Sequence, residues 1–348
     1  MNLEALWRDC PYLSDLVAQP SSLAQTLAGL ETAKGLEQFA GAAVSPRWRR
    51  ILFTGMGSSY WGCRPLYVRL LQAGRTPIMV ETSELIHYER GWLTPDTLVI
   101  AVSQSGLSAE IVRLLDLVDG RCEIIGVTNT PDSPLALRSA ATLLMHAGVE
   151  FTVACKTYLA TLLALEWLGD ILAGQPADPV LRAATQFIPH LRAYVDCWPE
   201  HVAQLMPLLD GAASLFFAGR GESIAAAETA GLIVKESTHL HGEGMSAAAF
   251  RHGPFEMLNN QVLVTVFEGA PATAGLSHRL LADVRAAGGR AALIGPDESG
   301  VFRTPSCDER LRPLAEILPV EMITLAASAL AQREPGRFER AAKVTVVE

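Results

Sequence analysis

Short runs of apolar residues recur along the chain, and most of them end at or just before a glycine or a hydroxyl residue. Such runs lie at 51–55, 98–102, 124–127, 215–219, 262–266 and 293–295. Continuous apolar runs that alternate with helical stretches are typical of parallel strands covered by helices on both faces. The pattern therefore predicts an α/β fold made of βαβ units.

This arrangement occurs twice in the chain. The run at 51–55 leads into Gly55-Met56-Gly57, and the run at 215–219 leads into Gly219-Arg220-Gly221, with further strands at similar distances beyond each. We therefore predict two tandem domains, each a doubly wound, flavodoxin-like parallel sheet in an αβα sandwich. The predicted parts are an N-terminal helical segment at 1–44, a first domain at 45–195, a second domain at 196–334 and a C-terminal tail at 335–348.

One strand end carries an unusual concentration of polar residues. The run Thr97–Val102 is followed by Ser103-Gln104-Ser105-Gly106, and a helix is predicted to begin at about Ser108. Ligands of open α/β sheets bind at the carboxyl ends of strands, where helix N-termini present free N–H groups. One serine would be enough to cap the helix, so three serines with a glycine favour a phosphate site. The second half has Phe267-Glu268-Gly269-Ala270 there, so we expect one such site per chain.

Composition limits the classes of function. With 348 residues, 49% hydrophobic and 19% charged, the chain is long enough for two buried cores and too apolar for disorder. A net charge of -9 without a basic stripe argues against nucleic acid. The apolar runs are strand-sized, so no membrane partner is expected. Six cysteines without a C-x-x-C pair, and an N-terminus without signal-peptide features, predict a cytoplasmic protein.

Two rival sites are weaker than the phosphate site. Gly55-Met56-Gly57 could begin a dinucleotide fingerprint, but Tyr60 stands where the third glycine would be. His239, His241 and Glu243 could suggest a metal, but positions i and i+2 of a helix do not share a face, and no further cluster completes the ligand set. We therefore expect no cofactor and no metal.

The second half supplies candidate acid–base groups. The stretch 225–234 predicts an apolar helix, with Lys235 and Glu236 near its end. Partial burial there would raise the pKa of Glu236 and suit it to proton transfer near neutrality. The alternative is that Glu236 pairs with Lys235 or caps the chain, and spacing alone leaves both interpretations open. His252 precedes Gly253-Pro254, so it is predicted to lie in a loop.

These motifs together resemble a known family, the sugar isomerase (SIS) proteins with two tandem domains. The resemblance extends from about Gly35 to Glu348 and is closest to the isomerase half of glucosamine-6-phosphate synthase and to the deaminases built on that half. It is carried by the glycine-serine turn at 55–60, the serine run at 103–106, Val153-Ala154, the stretch 235–254 and the tail at 342–346.

The resemblance implies roles for matching residues. Glu236 would move the proton, His252 would assist ring opening in the neighbouring subunit's site, and Lys343 would close over the substrate. A homodimer with a shared site and a small-molecule sugar phosphate as ligand are thus implied. Residues expected to hold the phosphate are Ser59, Ser103, Gln104, Ser105 and Ser108. Residues expected to line the site are Gly57, Ser58, Val153, Ala154 and Cys155.

The chain departs from the synthase pattern in ways that affect the expected reaction. The synthase has a lysine where this chain has Ile233, and no cysteine nucleophile of a glutaminase domain follows Met1. We therefore expect an amino-sugar-phosphate deaminase and isomerase. It would convert a hexosamine 6-phosphate, glucosamine 6-phosphate above all, to fructose 6-phosphate and ammonia. The alternatives are an aldose–ketose isomerase or a deglycase on another sugar phosphate, and a non-catalytic sugar-phosphate sensor.

Overall fold

The chain forms two compact units that interleave along the sequence. The computed structural model describes residue 7, residues 9–340 and residues 342–345. The first unit comprises Ser21–Glu150, Lys156–Thr185 and Ala341–Glu348. The second comprises Met1–Pro20, Phe151–Cys155 and Gln186–Arg340. The boundaries expected at 45–195 and 196–334 stay predictions.

The first unit contains a five-stranded parallel sheet in the order β2-β1-β3-β4-β5. Its strands are β1 (Arg50–Gly55), β2 (Pro77–Glu81), β3 (Thr97–Val102), β4 (Glu123–Thr128) and β5 (Ala141–Leu144). Among the described residues up to 196, which belong to both units, the helices are α1 (Pro11–Val17), α2 (Gln19–Glu31), α3 (Gly57–Trp61), α4 (Arg64–Gln72), α5 (Thr82–His87), α6 (Ala109–Val118), α7 (Pro134–Arg138), α8 (Lys156–Ala173) and α9 (Asp178–Asp196).

The second unit contains a four-stranded parallel sheet in the order β7-β6-β8-β9. Its strands are β6 (Ser214–Gly219), β7 (His241–Ser246), β8 (Val262–Phe267) and β9 (Arg290–Ile294). The remaining helices are α10 (Trp198–Leu209), α11 (Ile224–Thr238), α12 (Ala247–Phe250), α13 (Pro271–Ala286), α14 (Arg312–Glu316) and α15 (Leu318–Leu330). The four strands repeat the order of the first four strands of the other sheet, and the predicted α/β fold with parallel sheets is confirmed.

The core of the first unit lies between its sheet and the flanking helices. Strand β3 is buried along its whole length. Val99 and Ala101 of this strand belong to one apolar cluster with Ile111 and Leu114 of α6. Because burial of a large aliphatic side chain contributes about 1.5–3 kcal/mol, this cluster fixes the start of α6 at the carboxyl end of β3.

One apolar stretch is longer than the sequence suggested. Glu309–Leu330 has the length and composition of a membrane span, but 94% of its apolar window is buried inside the protein. The expectation that every apolar run is strand-sized is therefore wrong for this stretch. It includes α15, which is buried around nearly its whole circumference, as expected of a core helix in a large domain.

Candidate active site

The serine-rich loop after β3 is held in one conformation by its own hydrogen bonds. The N–H of Gly106 donates to Ser103 Oγ over 3.1 Å, and the N–H of Ser103 donates to the carbonyl of Val127 over 3.0 Å. Gly106 has a φ of 64°, and a Cβ there would lie 2.2 Å from Ser133 Oγ. Glycine is therefore required at this point both by backbone conformation and by space.

The same loop is attached to the segment that follows β4. The carbonyl of Gln104 accepts from the Asn129 N–H over 3.0 Å and from Thr128 Oγ1 over 3.2 Å. The carbonyl of Gly106 accepts from the Leu135 N–H over 3.1 Å. These backbone carbonyls are engaged by the neighbouring segment. Side chains in the loop can therefore serve a ligand while its backbone stays in place.

The hydroxyls of this loop do not act as ordinary helix caps. Ser108 occupies the N-cap position of α6, and its side chain makes no capping hydrogen bond. Ser105 Oγ accepts from the N–H of Leu107 over 3.4 Å, and Leu107 lies before the helix begins. The capping alternative therefore does not account for the serine run, and the N-terminus of α6 remains suited to an anion.

The glycine-serine turn after β1 lies next to this loop. A Cβ on Gly55 would come within 2.9 Å of the Val102 carbonyl oxygen, so the ends of β1 and β3 approach closely. Gly57 begins α3 with a φ of 53°. Ser58 Oγ is buried and has no hydrogen-bond partner among the described residues. Ser59 lies half-buried in the first turn of α3. The predicted phosphate residues thus follow the carboxyl ends of two neighbouring parallel strands of the first unit.

The C-terminal tail contacts the first unit near this loop. Lys343 Nζ lies 2.7 Å from Glu150 Oε2. The carbonyl of Thr345 accepts from the N–H of Ala109, the first residue of α6, over 3.1 Å. Lys343 therefore contacts Glu150 through its side chain, and the residue two positions after it contacts the start of α6. Glu150 was missed by sequence reasoning, since an isolated glutamate in a loop gives no sign of burial.

A groove of about 820 Å³ borders the serine loop within the first unit. Its lining includes Gln104, Asn129, His146, Val149 and Glu150. The groove is thus continuous with both the loop and the glutamate that contacts Lys343. A concave volume of this size, with a few polar groups in its lining, is typical of small-molecule sites.

The other predicted site residues belong to the second unit. Val153 and Cys155 are buried, and Ala154 is half-buried. Glu236 is half-buried in the last turn of α11, and Lys235 beside it is exposed. The predicted apolar helix and the position of Glu236 near its end are confirmed, while both interpretations of Glu236 stay open.

His252 lies on the surface of the second unit. It is exposed in the turn between α12 and the short helical turn that starts at Pro254. Its N–H donates to the Ala249 carbonyl over 2.9 Å. The predicted loop position is therefore confirmed, and its imidazole is accessible. Its assignment to a neighbouring subunit's site stays a prediction.

Helix α11 carries a second carboxyl group that sequence reasoning missed. Burial, with a smaller effect of Glu243, raises the pKa of Glu228 to about 7 against the opposing effect of Lys235. The carboxyls of Glu228 on α11 and Glu243 on β7 are close because a glycine lets the strand pack tightly on the helix. A Cβ on Gly244 would lie 2.2 Å from the Ala227 carbonyl oxygen. The alternating glycines of β7 are the sequence signal for this approach. A carboxyl with such a pKa can exchange protons near neutrality.

The histidines near α11 do not lie on a helix, contrary to our expectation. His241 and Glu243 are in strand β7, where positions i and i+2 share a face. His241 Nε2 lies 3.7 Å from Glu243 Oε2. His239 ends α11 with a left-handed φ of 59° and contacts Arg333 instead. Among the residues that the structure describes, no group of three or more potential metal ligands is found.

Comparison with protein families identifies the part of the chain that holds the serine loop. The model of the SIS domain matches residues 47–169. This segment is therefore similar to SIS domains. It includes β1 to β5, the glycine-serine turn and the loop at 103–106. That the second unit is a further SIS domain stays a prediction, although its strand order is the same.

Curated relatives extend the similarity to most of the chain. The chain is 30% identical over 318 residues to a glutamine–fructose-6-phosphate aminotransferase [isomerizing] of Pyrococcus horikoshii. The match covers 87% of this chain and 52% of the relative. The chain thus spans about half the length of the curated relatives it matches first.

Solved structures show the same fold. The C-terminal domain of glucosamine-fructose-6-phosphate aminotransferase from Francisella tularensis superposes with a TM-score of 0.81 at 18% identity, covering 94% of this chain and 98% of that one. Glucosamine-6-phosphate deaminase from Thermotoga maritima superposes with a TM-score of 0.77 at 18% identity, covering 97% of this chain and 100% of that one. At these identities the similarity concerns the fold alone.

Proposed function

We propose that this protein is a phosphosugar isomerase-type enzyme that deaminates a hexosamine 6-phosphate. Glucosamine 6-phosphate is the substrate we favour, with fructose 6-phosphate and ammonia as products. The observation that carries the proposal is the serine loop of the first unit. The backbone of the loop is held by hydrogen bonds, and the Ser108 hydroxyl makes no capping hydrogen bond. In the adjoining turn, the buried Ser58 hydroxyl has no hydrogen-bond partner among the described residues.

A phosphate in this loop would orient the reacting end of the sugar. The hydroxyls of Ser59, Ser103, Ser105 and Ser108 and the amide of Gln104 can donate hydrogen bonds to its oxygens, aided by the N-terminus of α6. Binding energy from a non-reacting phosphate can be used to align carbons C1 and C2 with an acid–base group. The names of the relatives, which include an isomerizing aminotransferase and a deaminase, support this substrate class.

The proposed chemistry needs one proton transfer and no redox step. Glu236 would remove the proton from C2 of the open-chain sugar to give an enolamine and return it to C1, and water would then hydrolyse the resulting imine at C2 to the ketone with release of ammonia. Lys343 would supply a positive charge beside the developing oxyanion. His252 would assist ring opening from a partner subunit, a role that its exposed position permits. A homodimer with shared sites is part of this proposal.

The test follows both products at once. Pure protein is incubated with glucosamine 6-phosphate without glutamine, and ammonia and fructose 6-phosphate are measured together. Equal amounts of both, at least about 100-fold slower in Glu236→Gln, would support the proposal. Glu200→Gln removes an exposed carboxylate of the second unit and serves as the matched control. Absence of turnover, with phosphosugar binding retained, would overturn the deaminase assignment and leave an enzyme for another sugar phosphate or the sensor.

The groove beside the loop favours a second candidate. The groove runs from Gln104 of the loop to residues of α2, so a substituent on the sugar nitrogen would have a surface to contact there. A deglycase would release an amine instead of ammonia. Comparing kcat/KM for an N-substituted fructosamine 6-phosphate with that for glucosamine 6-phosphate separates the two candidates, because the preferred substrate has the larger value.

A further inference from the structure

The carboxylate of Glu150 is buried at the start of helix α8. Its side chain is 0% exposed. Glu150 Oε1 accepts from the Thr157 N–H over 3.0 Å, and Oε2 accepts from the Thr157 hydroxyl over 2.6 Å. Thr157 is the second residue of α8, so the carboxylate faces the positive end of that helix. These contacts hold the carboxylate in one orientation.

The ammonium group of Lys343 contacts this fixed carboxylate. Lys343 Nζ lies 2.7 Å from Glu150 Oε2, and the lysine side chain is 23% exposed. An ammonium that is paired this closely and partly shielded from water is held far better than one on a surface lysine, whose ion pairs contribute little. The pair therefore restricts a side chain that would otherwise have four freely rotating bonds.

A second contact fixes the backbone of the same tail. The Thr345 carbonyl accepts from the Ala109 N–H, directly after Ser108 in the serine loop. Two residues span at most about 7 Å, so the backbone of Lys343 lies close to the start of α6 and to the proposed phosphate site. The tail thus has one attachment at the N-terminus of α8 and another at the N-terminus of α6.

We infer that Glu150 is a positioning residue, which docks the C-terminal tail and holds the Lys343 ammonium beside the serine loop before substrate binds. The docking follows from the contacts of Glu150 with Thr157 and Lys343. Its consequence for catalysis rests on the proposed function, because it assumes that Lys343 acts on the sugar. Glu150 itself acts through Lys343.

The first experiment measures docking without any substrate. Glu150→Gln keeps the shape of the side chain, and its amide oxygen can still accept from Thr157, but it carries no charge to hold the ammonium. Amide hydrogen exchange at Ala109 should then become at least about tenfold faster, and trypsin should cleave faster after Lys343. Asp116→Asn removes an exposed carboxylate of the same unit and should change neither rate.

The second experiment tests whether the effect passes through the lysine. In the deaminase assay, Glu150→Gln should lower kcat about 10- to 100-fold with KM changed less than about threefold. Lys343→Met should lower kcat at least as much. The double variant should be no slower than Lys343→Met, because a residue that acts only through the lysine has no effect once the lysine is gone.

The outcomes separate the docking from the proposed function. Unchanged exchange at Ala109 and unchanged cleavage in Glu150→Gln would overturn the inference, as would additive effects in the double variant. Faster exchange in a protein whose wild type turns over no phosphosugar would refute the proposed function and leave the docking supported. If Glu150→Gln does not fold, Lys343→Met provides the same exchange test, and normal protection of Ala109 there would overturn the docking.

Discussion

Replacing Gly106 by alanine tests whether the serine loop depends on a single conformation. The left-handed φ of 64° costs alanine about 1–2 kcal/mol. The added Cβ would also lie 2.2 Å from Ser133 Oγ and 2.8 Å from Thr128 Oγ1, so both hydroxyls must move. Ser133 Oγ caps helix α7 by accepting from the Ala136 N–H, a contact worth about 1 kcal/mol. The Thr128 hydroxyl donates to the Gln104 carbonyl, which adds about another 1 kcal/mol.

The expected destabilisation of Gly106→Ala is therefore about 3–4 kcal/mol. Gly120→Ala is the matched control, because Gly120 belongs to the same unit, has a φ of 77° and has no atom within 4 Å of the added Cβ. That variant should lose about 1–2 kcal/mol from backbone strain alone. The difference of about 2 kcal/mol measures the displaced hydroxyls.

Urea unfolding followed by tryptophan fluorescence gives both free energies, and the comparison within one unit cancels any coupling to the other. Glucose 6-phosphate should stabilise the wild type and Gly120→Ala by about 2.7 kcal/mol at a hundred times its Kd. It should stabilise Gly106→Ala much less, because the loop that would hold the phosphate is displaced. Equal stabilities of the two variants, with ligand stabilisation retained in both, would refute the reasoning.

Three further predictions concern burial and packing. Burial raises the pKa of Glu316 from 4.5 to about 7, so the folded state holds the extra proton and stability falls as pH rises from 4.5 to 7. In Glu316→Gln, the free energy of unfolding should fall by up to about 3 kcal/mol less over this pH range, as measured by urea unfolding at several pH values. Arg69→Leu leaves Glu166 and Asp170 as buried carboxylates without this partner, and calorimetry should show a loss of about 3–5 kcal/mol. Gly244→Ala places a Cβ against helix backbone and should lower stability by more than about 3 kcal/mol in urea unfolding.

The buried strands were predictable because parallel strands have no polar face. Strand β3 was expected at Thr97–Val102 and lies there, and β8 extends the expected run by one residue to Phe267. The polar loop at 103–106 was predictable for a related reason, since its hydroxyls follow a buried strand directly, while its role as a phosphate site stays a prediction. Local sequence order therefore contains both the strand and the polar turn at its end.

Strand β7 was not predictable from its own residues. His-Gly-Glu-Gly-Met-Ser has no apolar run, and it forms a strand because its glycines allow close packing against α11. The burial of Glu150 and the raised pKa of Glu228 could not be predicted from the sequence either. Both depend on segments distant in sequence, and a carboxylate's surroundings are set by what packs against it.

The tail contacts at Lys343 and Thr345 have a consequence for how the protein is made. Both residues complete the first unit, yet they leave the ribosome after almost all of the second unit has been synthesised. The sheet of the first unit can form early on a nascent chain, whereas the Glu150 carboxylate has no Lys343 ammonium to contact until residue 343 has been synthesised. Folding from the N-terminus would thus leave the proposed phosphosugar site incomplete until then, and a chain that stalls near residue 340 would carry both sheets without a docked tail.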